Sequence, residues 1–326
     1  MTAKPFLPFA LFNLLLILGV DTGVRSAVRP DLATESAQFR LLMRNSPRLP
    51  LEMTELPISS PRLGWKIEMA SSVAVDRNGL IYILQRGSDA DSVVVVNRQG
   101  KVMRSWGRGL FKIPHSIRID RDGNVWTVDA GNSMVYKFDE KGKQQLELGV
   151  GGLPATPKSA FCGTTDIAFA RDRILIADGY ANARIVEYSN GGKRLREWGS
   201  SGDGPGQFRI PHAIAIDRDG VIYVADRKNG RIQRFDREGR YLNEWRHLGK
   251  TFSLKVSPVG DLWLGTQPRD AENGVEPWIV KVDRHTGRIH GVIESLGHHS
   301  MELDADGGPL TGARPDKVLW FRSTRR

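Results

Sequence analysis

One pattern recurs along this chain roughly every 40 residues. Its clearest copy runs from Arg209 to Trp245, "RIPHAIAIDRDGVIYVADRKNGRIQRFDREGRYLNEW". Each copy holds four short apolar or alternating runs, here "AIAID", "VIYVAD", "RIQRFD" and "RYLNEW", separated by Asp-Gly, Asn-Gly or Glu-Gly turns. Alternation with period two reads as half-buried strand, and turn dipeptides that accept positive φ read as tight antiparallel connections. Six copies can be aligned, beginning at "MASSVAVDRNG", "KIPHSIRIDRDG", "CGTTDIAFARDR", "IPHAIAIDRDG", "TFSLKVSPVGD" and "GHHSMELDADGG". A lone four-stranded unit cannot bury both of its faces, so several must close on one another. Six such units predict an all-β chain, a six-bladed β-propeller over residues 65–323. The sixth copy lacks a clear fourth strand, and a segment before residue 67 is expected to supply it.

The remainder of the chain fits that frame. Of 326 residues, 40% are hydrophobic, with 35 Gly and 17 Pro, which suits a turn-rich chain with a core rather than a disordered one. The net charge is +10, but Arg and Lys sit in turns beside acids, as in "DRDG" and "DEKGK". No basic block with interleaved aromatics stands out. A solvated basic surface is expected, with no nucleic-acid partner. The first residues carry Lys4 and then an apolar run from Phe6 to Val20, short for a membrane span and suited to a signal-peptide core. Residues 1–26 are expected to be a signal peptide cleaved after Ser26, which implies an exported, periplasmic or extracellular protein without stable membrane insertion; an uncleaved anchor is the alternative. Residues 27–64, rich in Pro, Ser and Arg, read as an irregular lead-in whose later part closes the last blade. Cys162 is the only cysteine, so no intramolecular disulfide forms.

Aligned at the residue before the first strand, the six copies give Ser71, His115, Thr165, His212, Phe252 and His299. The first strand of a blade lines the axis, and alternate blades of a six-fold ring stand about 120° apart. Three imidazoles are therefore expected around one end of the channel. Three neutral imidazoles with an open fourth position form the ligand set of a catalytic zinc site, although imidazole also serves copper, nickel and iron. The competing reading is three polar channel residues bonded to water or backbone. "GHHS" offers both His298 and His299, and only register selects His299. His247, His285 and His290 fall in outer strands or turns and read as surface. The second strand returns to the same face, which brings Arg86 of copy one and Arg227 of copy four opposite each other, and Tyr180 of copy three beside them. Two guanidinium groups and a phenol beside a metal can bind a carboxylate and remove a proton.

The stretches "QRGSD", "IPHSIRID", "FCGTTDIAFA", "ADGYANARIVEY", "GQFRIPHAIAI" and "VADRKNGRIQRF" resemble NHL repeats, and more specifically the peptidyl-α-hydroxyglycine α-amidating lyase family, across residues 65–323. The resemblance implies a zinc-dependent lyase that cleaves a peptidyl- or N-acyl-α-hydroxyglycine to the amide and glyoxylate. It implies His115, His212 and His299 as zinc ligands, Tyr180 as the catalytic base, and Arg86 and Arg227 as active-site arginines. The implied partner is a peptide or small molecule ending in α-hydroxyglycine, bound by a monomer. Three departures accompany the match. Gly297 replaces a methionine of the family's site, and Ser300 stands where the family's structural calcium takes an Asp, which argues against Ca2+. Cys162 matches half of a family disulfide whose partner position is Ala181. A bare NHL match would instead imply a non-catalytic propeller that binds a protein, peptide or glycan. A third reading, a propeller lactonase, calls for Glu, Asn and Asp around a calcium ion, and the ring positions here hold none of these.

Overall fold

A computed structural model describes residues 30–59, 61, 65–152, 161–313 and 316–324. The segment read as a signal peptide lies outside the described residues. The described chain from Leu32 onward forms six four-stranded antiparallel sheets, together with one helix and a short two-stranded parallel pair.

Within blades one to five the strands follow chain order from the axis outward. Blade one, for example, uses Ala70–Val75, Ile81–Gln85, Val93–Val96 and Val102–Trp106. The sixth blade takes three strands from the C-terminal segment, Glu302–Leu303, Pro309–Ala313 and Lys317–Ser323, and its outermost from Leu51–Glu55. Leu51 pairs with Ser323 and Glu55 with Leu319, so a segment ahead of blade one and the C-terminal segment meet in one sheet. The Asp-Gly turns earn their place through the aspartate as much as the glycine. Asp120 accepts the backbone N–H groups of Asp122 and Asn124 and the indole N–H of Trp126, while Gly123 adopts φ +87°. Asp217 repeats the arrangement with the Tyr223 hydroxyl.

The core is divided among the interfaces between blades. Strand alternation sends Ile81 and Ile83 toward blade six, where they meet Leu310, Val318 and Trp320. Tyr82 and Leu84 point the other way, toward Ile117, Val125 and Phe138 of blade two. The same division recurs around the ring, giving six apolar clusters for six interfaces. No blade is self-sufficient, which is why the repeat must close.

The lead-in differs from the irregular segment expected of it. Leu32–Asn45 forms a helix, α1. Ser36, Phe39 and Met43, spaced along one face, are buried, and Phe39 and Met43 join the cluster between blades four and five. Tertiary packing stabilises a helix whose composition gives little warning of it.

Candidate functional site

Five of the six innermost strands carry a β-bulge, and in each the unpaired residue is the ring position. The ladder register shifts between Ala70 and Ser72, Pro114 and Ser116, Thr164 and Asp166, Pro211 and Ala213, and Thr251 and Ser253. A bulge frees one residue from the ladder and re-aims it. Ser71, His115, Thr165, His212 and Phe252 occupy these positions, and His299 precedes the short first strand of blade six.

His115, His212 and His299 converge so that one ring nitrogen from each lies within 4.8 Å of the others. The remaining ring nitrogens show how the rings are held. Nδ1 of His115 is 2.6 Å from the Thr165 carbonyl oxygen, Nδ1 of His212 is 2.7 Å from that of Phe252, and Nδ1 of His299 is 2.9 Å from that of Ser71. Each imidazole is thus fixed by the bulge residue of the next blade. A carbonyl can only accept, so each Nδ1 carries the proton and each Nε2 keeps its lone pair toward the axis. This is the orientation that a metal-ligating histidine requires. Burial, with like charge from His299, Arg86 and Arg227, holds the His115 pKa well below the usual 6.5. Burial, then Arg227 and the other two imidazoles, does the same for His212. Three imidazoles locked in one orientation could hold a divalent ion of the zinc type.

Tyr180 follows the second strand of blade three. Its hydroxyl oxygen stands 2.9 Å from His115 Nε2 and 3.2 Å from His212 Nε2. Arg227 lies beside it, at the end of the second strand of blade four, in a single 3-10 turn closed by Gly230 at φ +63°. Its guanidinium is 5.6 Å from the Tyr180 ring centroid and 4.9 Å from that of Phe252. Burial pulls the Arg227 pKa below the ordinary guanidinium value, and its hydrogen bond to Tyr180 opposes that shift. Arg86 donates from Nε to the Pro114 carbonyl, next to His115, at 2.8 Å.

Several further residues shape the site without a motif of their own in the sequence. Phe161 packs on Tyr180 with ring centroids 4.6 Å apart, and the Arg86 guanidinium is 5.4 Å from the Phe161 centroid. Together with Phe252 on His298 at 4.5 Å, this makes a continuous arc of cationic and aromatic groups from Arg86 to His298 around the imidazoles. His298 belongs to that wall, whereas His299 joins the cluster. His247, His285 and His290 are exposed and distant from it. A second ring at the ends of the second strands, Gln85, Asp129, Asp178, Asp226 and Gln267, is fully buried and secures the loops of this face. Asp129 accepts the N–H groups of Lys112, Ile113 and Gly131; Asp226 accepts that of Arg209 and pairs with buried Arg231. The signal for this ring was available in the aligned "VDA", "ADG" and "ADR".

Known proteins share parts of this sequence and its fold. The NHL repeat family matches residues 208–235. The chain is 35% identical to mouse peptidyl-glycine alpha-amidating monooxygenase over 137 residues, which is 39% of this chain and 14% of that protein. It is 30% identical to peptidyl-alpha-hydroxyglycine alpha-amidating lyase 2 of Drosophila melanogaster over 233 residues, 60% of this chain and 56% of that protein. The chain therefore spans well under two thirds of these relatives. A crystal structure of virginiamycin B lyase from Staphylococcus aureus, 17% identical, covers 83% of this chain with a TM-score of 0.58, which supports the fold alone. The chain is a six-bladed β-propeller that carries an NHL repeat at residues 208–235 and is similar in sequence to peptidyl-α-hydroxyglycine α-amidating lyases.

Proposed function

We propose that this protein is a zinc-dependent lyase that converts a peptidyl- or N-acyl-α-hydroxyglycine to the corresponding amide and glyoxylate. The observation that carries the reading is the placement of the Tyr180 hydroxyl against the two axial Nε2 atoms of His115 and His212, inside a ring of three tautomer-locked imidazoles. His115, His212 and His299 would hold the ion, which when bound supplies Lewis-acid polarisation of a substrate oxygen.

The chain's own residues account for the proton and the charge. Tyr180 takes the proton of the substrate carbinol hydroxyl. As the C–N bond breaks, the oxygen's electrons form the aldehyde carbonyl of glyoxylate, and the departing amide nitrogen receives the proton from Tyr180. No water and no redox equivalent are consumed. Arg227, hydrogen-bonded to the phenol, favours its anionic form. Arg86 supplies a guanidinium for the substrate carboxylate. Phe161 packs on Tyr180 and Phe252 on His212, which flanks the reacting groups with apolar surface.

The test is glyoxylate release from N-benzoyl-α-hydroxyglycine by the purified domain, before and after chelation and return of zinc. Release that chelation abolishes and zinc restores supports the lyase. Folded, zinc-loaded protein that releases none counts against it and in favour of a binding propeller.

A further inference from the structure

Below the histidine layer, the axial channel is filled by charge. At the third position after the ring residue, blades one, three and four carry Ala74, Ala168 and Ala215, while blades two, five and six carry Arg118, Lys255 and Glu302. Arg118 donates from Nη2 to Asp166 Oδ2 at 2.9 Å and from Nη1 to the Met301 carbonyl at 3.2 Å. The Arg118 and Asp166 side chains are only 8% and 3% exposed. Asp166 is fully engaged: Oδ1 accepts the Ser116 hydroxyl at 2.6 Å, and Oδ2 also accepts the Ile214 N–H at 3.3 Å. Blades two, three, four and six are thus tied across the axis by one cation and one anion. Farther out, Lys255 and Glu302 pair at 2.6 Å and bridge blades five and six.

This layer does not fit a calcium ion. Calcium needs six to eight oxygen donors, usually with several carboxylates among them. The small cavity beneath the histidines offers one carboxylate, Asp166, already neutralised by Arg118, and Ser300, a hydroxyl where the family resemblance implies an aspartate. A dication placed there would face a fixed guanidinium in a poorly solvated channel, where like charges repel strongly. We propose that Arg118 is a built-in replacement for a structural metal: its guanidinium, held by Asp166 and the Met301 carbonyl, closes the channel floor and pins the blades without calcium.

The test uses the zinc-loaded protein and does not depend on lyase activity, so it can fail while the lyase reading stands. Protein dialysed against calcium and then calcium-free buffer is expected to retain none by elemental analysis. Its melting temperature is expected to be the same in millimolar calcium and in a calcium-selective chelator. Arg118→Met is expected to lower the melting temperature by roughly 5–15 °C, because it leaves Asp166 buried and unpaired. One calcium retained per wild-type chain, a calcium-dependent melting temperature, or an Arg118→Met variant that melts with wild type would overturn the proposal. The calcium measurements on wild-type protein stand whether or not the variant folds.

Discussion

Blades two, four and six present histidines to the axis, and blades one, three and five present Ser71, Thr165 and Phe252. By side chain alone the second set looks idle. Yet each of its three residues supplies the carbonyl that fixes the neighbouring imidazole: Thr165 for His115, Phe252 for His212, and Ser71 for His299. The six-fold scaffold is therefore used as three pairs, one blade presenting an imidazole and the next setting its tautomer and angle. The orienting partner is backbone, so nearly any side chain can occupy the second role. This explains how serine, threonine and phenylalanine serve at equivalent positions. The division extends to the chemistry, because the phenol of Tyr180 comes from blade three and reaches the nitrogens of blades two and four.

The largest effect should come from breaking a ligand-bearing blade. His212→Ala is expected to lose tightly bound zinc and to lower turnover by more than roughly 10³-fold. The fold is expected to persist, since the six apolar clusters between blades are untouched. Elemental analysis and circular dichroism on the same sample check both halves, and stoichiometric zinc in the variant would remove His212 from the ligand set. Tyr180→Phe sharpens the division between holding the ion and moving the proton. It should keep zinc while kcat falls by about 10²–10⁴-fold, the usual contribution of a general base. An unchanged kcat would take Tyr180 out of that role.

Much of this architecture was legible in the sequence, for a local reason. Period-two alternation and Asp-Gly turns encode strands and their connections within about 40 residues, and six repetitions leave a closed ring as the natural solution. The alignment also put histidine on alternate copies, where the structure brings the three ring nitrogens within 4.8 Å. What escaped the sequence depends on partners far along the chain or on backbone. The bulges that aim the ring residues require no particular residue type. The carbonyl anchors have no side-chain signature at all. Helix α1 forms because Phe39 and Met43 find the cluster between blades four and five, more than 160 positions away in sequence. Arg118, in "SIRID", follows the alternation of a solvated strand face, and only the ring closure turns it inward to Asp166.

Substituting Arg86, from a blade without an axial histidine, tests whether substrate binding separates from metal binding. Arg86→Ala should lower kcat/KM for N-acyl-α-hydroxyglycine acids by roughly 10–100-fold, the value of a charge-assisted carboxylate contact, and leave the corresponding methyl esters nearly unaffected. Equal losses on acid and ester would mean that Arg86 acts by holding the Pro114 carbonyl beside His115 rather than by clamping the carboxylate.

The smallest expected effect is also the most discriminating for the pairing of blades. Thr165 offers two things to its neighbours: its carbonyl holds His115 Nδ1, and its hydroxyl reaches the Ala177 carbonyl at 3.1 Å and the Pro211 carbonyl, beside His212, at 2.7 Å. Thr165→Val keeps the first and deletes the second with little change of shape. If the backbone orients the imidazoles, zinc affinity measured by competition with a chromophoric chelator should change by no more than about threefold, and stability should fall by about 1 kcal/mol for the lost hydrogen bond. Loss of an orienting partner of a metal ligand usually costs about 10–100-fold in affinity. A fall of that size in Thr165→Val would assign the orienting role to the hydroxyl, and the equivalence of Ser71, Thr165 and Phe252 as backbone donors would no longer hold.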